Sequence, residues 1–544
     1  MKNKTILVAC LLAVSGSACA DVDVNIKYLH SQALELSYQL PPACTQLVFK
    51  KHGSDAAKIR STWQSLDACA KADGEHASSQ QAVCTQLRFQ VPVSVNKVRG
   101  YPAAFPVGDA IYVHTSNFAV DATCGKVNYS FSAPGIAMNA QVYADNAKAA
   151  DGKGGDMAAL LLPKPLKLEG NFIGYFDTAM GETNIRNIRK TGDESIAFLR
   201  EVLPKAKFEM PIVAISRVTG PGRARPDGDA ADVMRLGFVN WPLQPDAEAE
   251  RTMTLFVTHE FSHRFQMRDA TDAYADARLI HEGGAEFLRW LMGVRKGWLT
   301  NAQAAEDLNM ALGECLLHVR HASWGNLTAD QKRGGLLDYR CGLATYIYGL
   351  AARQGKAGPF ERFDGFYEKL RLARTQESLP DFAHALECGD EVGCKSQWLS
   401  RLLGKEEGML AVWEDFFRQT GFAHPVVANQ QQKNAMLNQA IQALMIEDCG
   451  SSSVFPQADK ISIDDVKGCK MLRGGMSITK AEHLPLFNHP DTLSATIAAC
   501  KQRSQVSLTM ESGLQLDMPC KTAYQPVELF YSVNMEKLLA RLNR

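Results

Sequence analysis

Two histidines four residues apart, followed by a distant glutamate, constrain this chain more than any other feature. The first element is His259-Glu260-Phe261-Ser262-His263, and Glu282 follows after 18 intervening residues. In a helix, a spacing of four sets both imidazoles on one face a turn apart, where both can reach one divalent cation. Glu260 lies about 100° further round the same helix and can face a water held there. Glu282 sits in Leu279-Ile280-His281-Glu282-Gly283-Gly284-Ala285-Glu286-Phe287-Leu288, which reads as a second helix. Its carboxylate meets the histidines only if the two helices pack together. Two imidazoles and a carboxylate form the donor set of a catalytic Zn2+ that keeps one coordination position open. Glu286, one turn beyond Glu282, is expected to orient a ligating histidine through its ring N–H. Without a metal, the same residues would be a pair of histidines and two surface charges on ordinary helices.

The N-terminus and the cysteines place this chemistry outside the cytoplasm. Met1-Lys2-Asn3-Lys4 is basic, Thr5 to Val14 is apolar but too short to span a bilayer, and Ala18-Cys19-Ala20 ends a run of small residues. That order predicts a signal peptide over 1–20, cut before Asp21, and a periplasmic or secreted product. Cys19 is an alternative lipid-attachment site, although Gly16 stands where lipoproteins usually carry a larger aliphatic residue. Of 14 cysteines, Cys10 and Cys19 leave with the signal. The even remainder suits an oxidising compartment. Local clustering suggests Cys69–Cys84, Cys315–Cys341, Cys388–Cys394, Cys449–Cys469 and Cys500–Cys520, with connectivity open at this stage. No tight pair of the zinc-cluster kind is present. No later stretch is apolar enough to span a membrane.

Lys+Arg and Asp+Glu both number 59, so no net field directs the chain to nucleic acid. At 544 residues, 46% hydrophobic and 22% charged, it reads as a multidomain globular protein. Alternating runs at Ala33–Leu40, Gln86–Val91 and Lys126–Ser132 predict a β-sandwich-like domain over 21–150, closed by the polar stretch Ala144 to Asp156. Strands are expected at Phe172–Phe176, Pro211–Ile215 and Val233–Trp241, and a helix over Asp193–Val202. The Gly/Pro/Asp-rich segment Thr219 to Asp229 reads as a loop. Asp246 caps a helix that carries His259 and His263. A helical domain follows over 355–447. A small C-terminal α+β domain over 448–544 includes a hairpin turning at Ser512-Gly513.

The H-E-x-x-H element, its spacing and the following E-G resemble the gluzincin metallopeptidases, in particular the aminopeptidase N family. Tyr339-Arg340-Cys341-Gly342 is similar to that family's Tyr-x-x-Gly element, whose tyrosine hydrogen-bonds the developing oxyanion, so the resemblance gives Tyr339 that role. It also implies a thermolysin-like α+β zinc domain over 160–354. The family's G-x-M-E-N strand, whose glutamate binds the substrate amine, has no counterpart in Val233-Met234-Arg235-Leu236-Gly237-Phe238-Val239-Asn240-Trp241. An aminopeptidase specificity is therefore not implied. The chain also resembles the glycyl aminopeptidase family, with a β-rich N-terminal domain, a zinc domain and a PDZ domain. Gly474 to Ile478, the helix near Leu493 and the hairpin after it are similar to a PDZ module.

The expected activity is hydrolysis of a peptide or protein substrate, with Zn2+ as cofactor and Glu260 as general base. A bound peptide is expected to add to the Val233–Trp241 strand as to a sheet edge. Arg223, Arg225 and Arg235 are candidates for holding a substrate carboxylate. Two other classes fit the motif: a zincin-fold binding protein with little catalysis, and a zinc hydrolase of a non-peptide amide or ester.

Overall fold

Alternation in the first strands builds the N-terminal core. In Val22–His30 and Ala33–Gln39 every second side chain points inward, and Val22, Val24, Ile26, Leu34, Leu36 and Tyr38 are fully buried. Each such aliphatic residue contributes about 1.5–3 kcal/mol on leaving water. The computed structural model of the chain describes residues 21–543, apart from 43, 52–53, 81–83, 96, 99–100, 150–156, 167–171, 207, 209, 221–222, 267–276, 334–335, 353–357, 374–378, 464–465 and 467. The expected signal peptide, with Cys19, lies outside the described residues, as does the end of the polar stretch after Ala149.

The chain divides into two units, residues 21–196 with 208–264 and residues 197–207 with 265–543. The first unit holds a nine-stranded sheet. Its order is Ala104–Val107, Ala110–His114, Ala158–Leu162, Val127–Met138, Val22–His30, Ala33–Gln39, Gln86–Pro92 and Gln64–Ser65, with Gln141–Lys148 also paired to Val127–Met138. Val22–His30 and Val127–Met138 run parallel, and the other pairs are antiparallel. The region is β-rich, as its alternating sequence predicts.

A second sheet in this unit has the order Ile173–Phe176, Ile212–Val218, Val233–Val239, Arg225–Ala230. The first three strands are parallel and the last is antiparallel. Two expectations change here. Val233–Val239 is an interior strand, buried along its whole length, and not an edge. The segment read as a loop contributes the edge strand Arg225–Ala230. Its Gly, Pro and Asp composition is tolerated because an edge strand leaves one row of backbone groups outside the ladder. Its aspartates are held by Arg235, as described below. The helix Ala247–Ser262 follows, with Asp246 accepting the Ala249 N–H at 2.8 Å and Glu248 and Glu250 at the positive helix end.

The second unit is mainly helical up to Cys449, with Ala277–Arg295, Asn301–Val319, Leu337–Ala352, Pro359–Ala373, Leu379–Cys388, Met409–Thr420 and Gln430–Cys449 as its longer helices. Beyond them lies a six-stranded sheet, Val454–Pro456, Ile461–Ile463, Ser477–Ala481, Gln505–Met510 and Gln515–Pro519, with Leu484–Pro485 beside the third. Thr492–Arg503 is the helix expected near Leu493, and Gly513 turns the hairpin at φ 84°.

All twelve cysteines from Cys44 to Cys520 are paired. The five local bridges form as their spacing suggests, and Cys44–Cys124 is the sixth, across a sequence separation of 80. Among the described residues, no helix is long and apolar enough to cross a membrane.

Candidate metal centre

His259 and His263 close the last turn of Ala247–Ser262, and both are buried. Their Nε2 atoms stand 3.2 Å apart with the rings at 87° to one another. Two nitrogens bound tetrahedrally to one zinc, each at about 2.0–2.1 Å, would lie roughly 3.3–3.4 Å apart. The histidine pair therefore already has the spacing of a zinc ligand pair. Glu282, the third expected ligand, lies in the second unit. In the second unit one group of potential ligands, Asp448 with Cys449 and Cys469, has its atoms within 4.8 Å of one another. It is no metal site: its cysteines are bonded to each other, and Asp448 accepts the N–H groups of Met471 and Leu472.

Glu260 is also buried, at 7% exposure. Its surroundings explain a glycine that composition alone assigns to a loop. A Cβ on Gly228 would lie 2.7 Å from Glu260 Oε1 and 2.7 Å from Phe256 Cζ. The edge strand thus runs against the histidine helix at the carboxylate, and a larger residue there would have to push aside the Glu260 carboxylate and the Phe256 ring.

The neighbours of Gly228 point the other way, as strand alternation requires. Asp227 and Asp229 both engage Arg235. Its Nε donates to Asp229 Oδ2 at 2.8 Å and its Nη1 to Asp227 Oδ2 at 3.1 Å. The guanidinium lies over Phe105 at 4.6 Å and is wholly buried. Burial alone would weaken its charge, but the two aspartates raise its pKa further than burial lowers it. Arg235 is therefore a strand clamp and is not available to a substrate, which corrects the sequence expectation. Arg223 and Arg225 remain exposed.

Glu282 lies early in Ala277–Arg295, and Tyr339 in the first turn of Leu337–Ala352. Gly283 and Gly342 bring these helices into backbone contact: a Cβ on Gly283 would lie 2.6 Å from Gly342 Cα. Arg278, one turn before Glu282, joins the two motifs. Its Nε donates to Asp338 Oδ2 at 2.9 Å, its Nη1 lies 3.8 Å from Glu282 Oε1, and its Cζ is 5.9 Å from the Tyr339 ring centre. Glu286 is buried, and its Oε2 accepts from Arg289 Nε at 2.9 Å and Nη2 at 2.6 Å, while Arg289 Nη1 reaches Asp307 at 3.1 Å. Arg278, Asp338, Arg289 and Gly228 were not singled out from the sequence. Arg278 had one usable signal, its spacing of four from Glu282.

No family model matches the chain, and no curated protein matches it. Solved structures do. An aminopeptidase N family protein from Idiomarina loihiensis aligns over 96% of this chain and 100% of its own, with 11% identity and a TM-score of 0.50. A variant of the M1 zinc metallopeptidase of Deinococcus radiodurans aligns over 71% of this chain and 94% of its own, with 13% identity and a TM-score of 0.38. Aminopeptidase A of Legionella pneumophila, in complex with aspartic acid, aligns over 76% of this chain and 51% of its own, with 11% identity and a TM-score of 0.38. At such identity the likeness is one of architecture: the chain has the multidomain α+β fold of the Idiomarina protein.

Proposed function

We propose that this chain is an exported zinc-dependent metallopeptidase of gluzincin type, with His259, His263 and Glu282 as its metal ligands. The observation that carries the reading is the 3.2 Å separation of the two histidine Nε2 atoms, the spacing of a zinc ligand pair. The buried carboxylate of Glu260, between the two histidines in sequence, supports it further. Zinc, when bound, supplies a Lewis acid that polarises water and the scissile carbonyl.

The chain's own groups do the rest. Glu260 accepts the proton of the attacking water and returns it to the leaving amine, work worth about 10²–10⁴-fold. The Tyr339 hydroxyl donates to the oxyanion that forms on the former carbonyl oxygen, worth about 10²–10³-fold for comparable donors. Glu286, itself fixed by Arg289, holds a ligating histidine in its orientation. A peptide would add along the edge strand Arg225–Ala230 through backbone hydrogen bonds.

Within this reading, the β-sandwich-like domain expected over 21–150 also takes in the strand Ala158–Leu162, the thermolysin-like catalytic domain follows it to 354, 355–447 is the helical domain and 448–544 a PDZ-like C-terminal domain. Six disulfides support export to the periplasm or medium. The test is a peptide-library digest on metal-loaded and chelated protein, beside a panel of small esters. Chelator-sensitive peptide cleavage is expected. Cleavage of esters alone would reassign the substrate, and a zinc-loaded chain cleaving neither would leave a binding protein.

A further inference from the structure

The edge strand beside Glu260 has two acidic side chains, and Arg235 engages both. Asp227 and Asp229 are held at 3.1 and 2.8 Å by a guanidinium with no exposure of its own. Asp229 is only 7% exposed, and both carboxylates already share a buried cation, which weakens the strand's pull on a substrate amine.

Arg278 offers the opposite charge in an accessible form. Its side chain is 50% exposed, whereas Asp338, which receives its Nε, is 6% exposed. The buried aspartate fixes the plane of the guanidinium. Glu282 Oε1, at 3.8 Å from Nη1, is too far for a hydrogen bond and acts only as a neighbouring charge. A guanidinium has five N–H donors, and among the described residues Arg278 donates a hydrogen bond through its Nε alone. The two Nη groups therefore present an anchored, planar fork beside Glu282 and the Tyr339 ring. Such a fork matches the two oxygens of a carboxylate.

We propose that Arg278 is a specificity-determining residue that binds a carboxylate of the substrate next to Tyr339. The chain then selects peptides with an acidic group near the scissile bond, not peptides with a free amine there. This rests on the peptidase reading. The carboxylate has two sources in a peptide, the C-terminal α-carboxylate and the side chain of Asp or Glu.

Four internally quenched peptides of one parent sequence separate them: free acid or amide at the C-terminus, each with Asp or Asn beside the scissile bond. The zinc-loaded wild-type chain is expected to favour the carboxylate-bearing member of one pair by at least about tenfold in kcat/KM. Arg278→Gln and Arg278→Lys, each checked to hold one zinc equivalent, are expected to collapse that ratio towards one, mainly through KM. Lys keeps the charge but not the fork. A wild type that treats all four alike, or variants that slow all four by one common factor through kcat, would overturn the proposal and leave Arg278 as a brace for Glu282. A zinc-loaded wild type that cleaves none of them would remove the peptidase reading first, and this proposal with it.

Discussion

Gly283 and Gly342 touch backbone to backbone. A Cβ on Gly342 would lie 2.5 Å from Gly283 Cα, closer than side-chain carbons approach in folded proteins. Each glycine belongs to a site motif, one directly after Glu282 and the other three residues after Tyr339. Their contact brings the carboxylate and the phenol onto one pair of closely packed helices, with Arg278 spanning Glu282 and Asp338 beside it.

Gly342→Ala is therefore expected to destabilise the protein by about 1–3 kcal/mol, because the added methyl forces two backbones apart. Peptide hydrolysis should fall further than stability accounts for, since both motifs move. Gly365→Ala is the comparison. It lies inside the helix Pro359–Ala373, and an added Cβ there meets nothing within 4 Å. Removing a mid-helix glycine should stabilise by about 0.5–1 kcal/mol. Urea unfolding of the three proteins checks both signs; equal effects would show that the glycine contact is unimportant.

Glu260→Gln should keep one zinc equivalent while kcat falls by about 10²–10⁴-fold, because the amide cannot take a proton from water. His263→Ala should lose zinc as well as activity. Metal analysis beside kinetics separates the two. A Glu260→Gln protein with normal turnover would disprove the base, and a His263→Ala protein still holding stoichiometric zinc would disprove that ligand.

Arg235→Ala removes the cation held against Asp227 and against Asp229, a side chain only 7% exposed. A loss of about 3–5 kcal/mol is expected from breaking such a pair. Arg223→Ala, at an exposed position, should change stability by less than about 0.5 kcal/mol. Denaturant titrations of both variants make the comparison. Similar losses would mean that Arg235 is no clamp.

The histidine helix was legible because its evidence is local: a spacing of four, an N-cap at Asp246 and acids in the first turn all fall within one segment. The alternating strands around Leu34, Leu36 and Tyr38 were legible for the same reason. Arg225–Ala230 was not, since Gly, Pro and Asp mark loops unless something outside the segment holds them. Here Arg235 and the proximity of Glu260 do so, and neither is visible in the segment itself. The position of Arg235 was likewise hidden, because a lone arginine in a strand carries no sign of whether it faces solvent or two aspartates. The long bridge Cys44–Cys124 escaped because pairing by proximity in sequence finds only short loops.

Cys341 stands two residues after Tyr339, and its bridge to Cys315 is buried at both ends. Replacing both cysteines with alanine removes a loop constraint over a sequence separation of 26, for which chain entropy gives about 3–4 kcal/mol. The tether joins the Tyr339 helix to Asn301–Val319, so kcat should fall with KM little changed. Thermal melts and steady-state kinetics test this. A double variant with wild-type kcat would show that the bridge serves stability alone.

Asp415 gives a pH-dependent test remote in sequence from the metal ligands. Its carboxylate accepts from Arg401 at 2.8 Å, from Arg418 at 2.7 Å and from Gln419 at 3.0 Å. The hydrogen bond from Arg401 is the main cause that holds its pKa at about 2, against an ordinary value of 3.8. A carboxyl group whose folded pKa is depressed stabilises the fold fully above its unfolded pKa and loses that contribution as pH falls through the folded one. Asp415→Asn keeps the shape and removes the charge. With metal stripped from both proteins, the gap in Tm between wild type and Asp415→Asn should be constant from pH 7 down to about 4 and then shrink towards zero near pH 2. Other carboxyl groups titrate over the same range, but they do so in both proteins and cancel in the difference. A gap that persisted unchanged at pH 2 would show that the ion pairs around Arg401 do not set the Asp415 pKa.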